Sequence, residues 1–103
     1  MGVPRAAPAA RARSWLERLG IAALAERTLR ELSLGEKQMV SVAGVLAREP
    51  GMLLLDEPAS ALDEAHRDRL GHVLAELPAT LLMTSHDPAW WVARGWGRRI
   101  DLD

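Results

Sequence analysis

A chain of 103 residues with 13 Lys+Arg against 14 Asp+Glu has a formal net charge of −1, and no basic block is long enough to follow a nucleic-acid backbone. The absence of cysteine excludes disulfides and thiolate metal sites, and the longest aliphatic run, Met52–Leu55, is far short of the roughly 20 residues a membrane-spanning helix requires. This length allows one small domain, burying about 60 to 70% of the surface its unfolded form exposes, which leaves it marginal on its own.

Residues 1–10, rich in Pro and Ala, read as a lead-in with no apolar segment of the secretory kind. Arg11 to Leu19 predicts a short amphipathic helix, with Trp15, Leu16 and Leu19 on one side and Gly20 as its stop. A second short helix is expected over Ile21 to Arg30, with Ile21, Leu24 and Leu29 as its apolar positions. Ser33 stands three residues before Glu36, an S-x-x-E arrangement in which each side chain satisfies the other's backbone N–H at a helix start. The helix that follows places Met39, Val42, Ala43 and Leu46 at i, i+3, i+4, i+7 spacing until Glu49-Pro50-Gly51 breaks it.

Met52 to Leu55 is wholly apolar, the pattern of a central parallel strand covered on both faces, and it ends in the carboxylates Asp56 and Glu57. Asp63 suits the N-cap of a helix whose stripe is Leu70, Val73, Leu74 and Leu77, and Thr80 to Thr84 reads as a second buried strand. The order is β-α-β. Pro88 to about Arg94 predicts a further helix and Arg98 to Leu102 an edge strand. Trp90, Trp91 and Trp96 read as core cover, and His66 and His72, six apart on one helix, as surface residues and not metal ligands. Two or three strands cannot cover both faces of a doubly wound sheet, so the apolar strand at Met52 calls for more neighbours than these elements supply.

The chemistry concentrates in three places. Ligands collect at strand ends in open α/β sheets, where Asp56 and Glu57 lie: a hard dication takes one carboxylate and keeps its waters, while an adjacent free carboxylate accepts a proton. Ser33 to Glu36 opens a helix whose free N–H groups favour an anion, with Gly35 allowing close approach. That helix end is worth at most about 2 kcal/mol, whereas millimolar affinity needs roughly 4, so it cannot hold an anion by itself. His86, after the second strand, can donate to a phosphate oxygen. Each motif alone has a plain structural reading, respectively a strand end, a bare capping box and a polar cap.

Taken in order, Leu32-Ser33-Leu34-Gly35-Glu36, Leu55-Asp56-Glu57-Pro58, Ser60-Ala61-Leu62-Asp63 and Thr84-Ser85-His86-Asp87 resemble the signature, Walker B, D-loop and switch-histidine motifs of the ABC ATPases. No G-x-x-x-x-G-K-[ST] phosphate loop occurs in the sequence. The resemblance therefore implies an α/β, partial P-loop NTPase fold: residues 1–49 part of a helical signature subdomain and 50–103 the C-terminal part of an ATPase core, without the N-terminal phosphate-loop half. It implies ATP and Mg²⁺ as cofactors, with Asp56 at the metal and Glu57 and His86 catalytic. Ser33, Leu34, Gly35, Glu36 and Asp63 would meet nucleotide bound to the opposite subunit. The signature reads LSLGE where LSGGQ is commoner, both changes being seen among prokaryotic importers, and Met39 departs from the arginine often found there.

The stretch Leu32 to Leu55 looks most like the ATPase subunits of energy-coupling factor importers for metal ions and vitamins. The implied partners are a second ABC ATPase subunit and transmembrane permease subunits, with no nucleic acid, at the cytoplasmic face of a bacterial membrane. Lys37 is the one lysine among the 13 basic residues, which with abundant Ala, Arg, Gly and Pro points to a GC-rich bacterial gene. Three alternatives stand beside this reading. They are a non-catalytic module lending its signature to a complete ATPase, a truncated non-functional remnant, and a non-transport ABC protein of DNA repair or translation.

Overall fold

The computed structural model describes residues 8–87 and Trp90. Helix α1 spans Pro8–Arg18, beginning three residues before the expected Arg11. Proline is well suited to a first helical turn, where its missing N–H has no intrahelical partner to lose. At the other end Gly20 takes φ +77°, the N–H of Gly20 donates to Glu17 O at 3.0 Å, and that of Ile21 to Leu16 O at 2.8 Å. That is the paired-bond helix stop in which glycine supplies the left-handed residue, and Leu16 and Ile21 are both buried beside it.

The expected second helix is instead two 3₁₀ turns, Ala22–Glu26 and Leu29–Glu31, separated by extended backbone at Arg27 and Thr28. Ile21 and Leu24 are buried as expected, but Leu29 is 66% exposed, so the three apolar positions do not form one stripe. Thr28 donates its hydroxyl to Glu31 Oε1 at 3.0 Å, a local bond that competes with continued helix.

Helix α2, Leu34–Leu46, starts at the capping box and buries Met39, Val42, Ala43 and Leu46, as their spacing requires. Arg11 Nε donates to Ala47 O at 2.9 Å, joining α1 to the C-terminal end of α2. After Glu49, at φ +51°, comes strand β1, Met52–Asp56. Helix α3, Glu64–Ala75, crosses over to strand β2, Thr80–Thr84, which pairs parallel with β1 from Met52↔Thr80 to Asp56↔Thr84.

One face of this pair meets the helices: Leu53 is 2% exposed, and Leu55, Leu81 and Met83 pack against the cluster built from Leu19, Met39, Leu46 and Leu70. The other face carries Met52, Leu54 and Leu82, all exposed. The expectation of a strand covered on both sides is thus met on one side among the described residues. Trp90 is helical and buried, its Nε1 donating to Arg67 O at 2.9 Å. The rest of the predicted 88–94 helix, the 98–102 strand, Trp91 and Trp96 lie outside the described residues. No described helix is long and apolar enough to cross a membrane.

Candidate functional site

The parallel register places the end of β1 beside the end of β2, so Asp56 and Thr84 are neighbours at the C-terminal edge of the sheet. Thr84 donates its hydroxyl to Asp56 Oδ1 and accepts from Glu57 N at 3.0 Å, while Thr84 O accepts from the same N–H at 3.2 Å. Asp56 is exposed, one of its oxygens is oriented by a neutral hydroxyl, and it has no cationic partner among the described residues. This suits a magnesium ion held largely through water, which needs one or two protein carboxylates and takes its other ligands from phosphate and solvent. Among the described residues no cluster of three or more His, Cys, Asp or Glu could hold a metal ion.

Glu57 turns the chain away from the strand at φ +49°, a left-handed conformation uncommon for a residue with a side chain. Its Oε1 lies 3.2 Å from His86 Nε2, the glutamate side chain being 26% exposed and the histidine 97%. Asp56, Glu57 and His86 therefore lie close together at the C-terminal end of the strand pair. The turn carrying His86 is fastened by an Arg67–Asp87 ion pair, by Asp87 N donating to Ser85 Oγ at 3.1 Å, and by the Trp90 bond to Arg67 O.

Ser33 to Glu36 and Asp63 form a second grouping. Ser33 Oγ accepts from Glu36 N at 3.1 Å and Glu36 Oε1 accepts from Ser33 N at 2.8 Å, so both halves of the capping box are made. The Ser33 N–H, the largest influence, holds the Glu36 carboxyl below its ordinary value. Leu34 points to solvent. Asp63 caps α3, accepting from His66 N at 2.9 Å and meeting His66 Nδ1 at 2.7 Å; the backbone bond is the main reason its carboxyl also lies below the usual range. Ser33, Gly35, Glu36, Asp63 and His66 line an open concavity of about 350 Å³. Met39 is fully buried in the core, where a charged arginine would be costly to desolvate.

Gly35 serves a purpose beyond ligand approach: a Cβ there would lie 2.5 Å from Ala61 O, so its backbone packs directly on the turn after Glu57. Two residues escaped the sequence reading. Gln38 bonds to Glu57 O, Ser60 Oγ and Ala61 N, joining the signature helix to the acidic turn. Thr84 orients Asp56. Neither has a local signal, because Gln38 acts 19 residues away and Thr84 acts across a strand pairing 28 residues long in sequence.

Comparison with known proteins agrees with this architecture. A solved structure of cbiO1 from Clostridium perfringens, part of the ABC transporter complex cbiONQ, superposes with a TM-score of 0.65 and 35% identity over 84% of this chain and 36% of that one. The fold is that of an ABC ATPase, with the described strands and helices forming part of it. Residues 4–60 match the sequence pattern of the ABC transporter family, and the chain belongs to that family. An uncharacterized ABC transporter ATP-binding protein of Haemophilus influenzae is 45% identical over 84 residues, covering 82% of this chain and 39% of its own length. The biotin transport ATP-binding protein BioM of Rhizobium etli is 41% identical over 86 residues, covering 84% and 38%. The chain thus spans little more than a third of the length of these curated relatives.

Proposed function

We propose that these residues are the hydrolytic strand end and the signature surface of an ABC ATPase subunit that energises uptake of a small solute, such as a metal ion or vitamin. The observation that carries this reading is the meeting of Asp56, Thr84, Glu57 and His86 at the C-terminal edge of two parallel strands. In this reading Asp56 holds Mg²⁺ of bound Mg-ATP through water, and the metal neutralises phosphate charge when bound. Glu57 accepts a proton from the attacking water, and His86 donates to the terminal phosphate. Ser33, Leu34, Gly35, Glu36 and Asp63 face the nucleotide of a second ATPase subunit, and permease subunits take up the resulting motion at the cytoplasmic face of the membrane.

Residues 1–49 then belong to the helical subdomain and 50–103 to the ATPase core. The phosphate loop comes from outside these 103 residues, packed on the open face of Met52, Leu54 and Leu82. The importer assignment draws support from the names of BioM, a biotin transport protein, and of cbiO1, part of cbiONQ.

The test supplies the phosphate-loop half of the Haemophilus relative to this chain and measures Mg-ATP hydrolysis. Turnover that falls about 10²- to 10⁴-fold in Glu57→Gln, the range of a general base, is expected. A well-folded assembly that binds no Mg-ATP overturns the reading. Because the sequence has no phosphate loop of its own, a second outcome has a specific meaning: stimulation of a complete ATPase that survives Glu57→Gln would identify a non-catalytic partner that lends its signature.

A further inference from the structure

Gln38 lies in the second turn of α2 and engages the turn after the acidic pair with both ends of its amide. Its Nε2 donates to Glu57 O at 3.0 Å and to Ser60 Oγ at 3.3 Å, and its Oε1 accepts from Ala61 N at 3.2 Å. One turn earlier, Gly35 lets the helix backbone sit against Ala61 O, where a Cβ would stand 2.5 Å away. The 57–61 segment is therefore fixed to the signature helix by three hydrogen bonds from one side chain and by a backbone contact.

What this holds is an unfavourable conformation. A non-glycine residue stays at positive φ when its surroundings over-determine it, and Glu57 has φ +49°. Its N–H is taken by Thr84, from β2, and its C=O accepts both from Gln38, from α2, and from the Ser60 N–H of its own turn at 3.2 Å. The two clamps come from different elements, and together they set the direction in which the Glu57 side chain leaves the backbone toward His86 Nε2, 3.2 Å away. The amide is suited to this task by its neutrality. A lysine or arginine here would bring a positive charge to the acidic turn, and a carboxylate would repel the Glu57 carbonyl.

We propose that Gln38 is a positioning residue for Glu57: it keeps the glutamate in its left-handed conformation and makes the carboxylate follow any displacement of the signature helix. A nucleotide engaging the N-terminal end of α2 would in this way act on the hydrolytic carboxylate of the same chain. The functional part rests on the reading of Glu57 given above.

The experiment uses the full chain with Gln38→Ala and Gln38→Glu. In ¹⁵N-resolved spectra the backbone shifts of Glu57 report its left-handed φ, and amide exchange reports the Ala61 bond. Gln38→Ala moves the Glu57 shifts toward extended or right-handed values and speeds Ala61 exchange about tenfold, as loss of one net hydrogen bond predicts. Gln38→Glu moves the Glu57 shifts but keeps Ala61 protected, since its carboxylate still accepts from that N–H. With the phosphate-loop half supplied, both variants lower kcat for Mg-ATP about tenfold and leave KM within twofold. Unchanged Glu57 shifts in both variants overturn the proposal, as does recovery of kcat in Gln38→Glu alongside Ala61 protection, which would reduce Gln38 to a tie for the D-loop. If the unsubstituted assembly hydrolyses nothing, the reading of Glu57 falls while the shifts still decide whether Gln38 sets its conformation.

Discussion

The two faces of the β1–β2 pair carry the same kind of side chain and have opposite fates. Leu53 is 2% exposed beneath the helices, whereas its neighbour Leu54 is 68% exposed on the other side, paired in register with exposed Leu82. Side chains alternate along a strand, so an unbroken apolar run writes a demand for cover on both faces, and the described residues answer it on one. The covered face contributes to the stability of this chain; the open face is exposed among the described residues.

The largest expected effect tests that difference directly. Leu53→Ala should cost about 2 to 5 kcal/mol in urea unfolding, enough to abolish a cooperative transition in a domain this small, while Leu54→Ala stays within about 0.5 kcal/mol. Equal losses at the two positions would mean that the open face is already covered. Gly35→Ala comes next: the new methyl group meets the Ala61 carbonyl, so the helix and the turn must part, at about 1 to 3 kcal/mol with shifts in the Ala61 resonances. A silent substitution there would show that the two segments are not in firm contact. Ser33→Ala removes the acceptor for Glu36 N and should cost about 1 kcal/mol, read as a lower denaturation midpoint.

The smallest effect is one of pH. Glu36 and Asp63 both have carboxyls held below their ordinary values in the folded chain, so the stability they confer is present above the unfolded carboxylate range and is lost as pH falls through their folded values. Stability should therefore decline on acidification through and below the carboxylate range. Asp63→Asn, which keeps a capping oxygen that does not titrate, should flatten part of that decline in a pH series of denaturation midpoints.

Much of the fold was legible because its signals are local. Ser33 and Glu36 cap each other within one turn, Gly20 ends α1, and the 3.6-residue spacing of Met39, Val42, Ala43 and Leu46 fixes the buried side of α2. The error over Ile21 to Arg30 has a local cause too: Ile21 and Leu24 are buried, but Thr28 bonds within its own turn and Leu29 stays exposed. The candidate site was legible in its residue types, Asp56, Glu57, His86 and the signature turn, and not in their connections.

By itself the sequence determined where α2 and α3 begin, which side of each is apolar, and that two carboxylates follow an apolar run. Only the tertiary structure decided that Thr84 orients Asp56, that Gln38 grips the Glu57 carbonyl, and that Gly35 is glycine because Ala61 lies against it. The physical reason is range: capping and periodicity act within a few residues along the chain, whereas strand register and helix docking bring together groups 19 to 28 residues apart whose pairing no local pattern encodes.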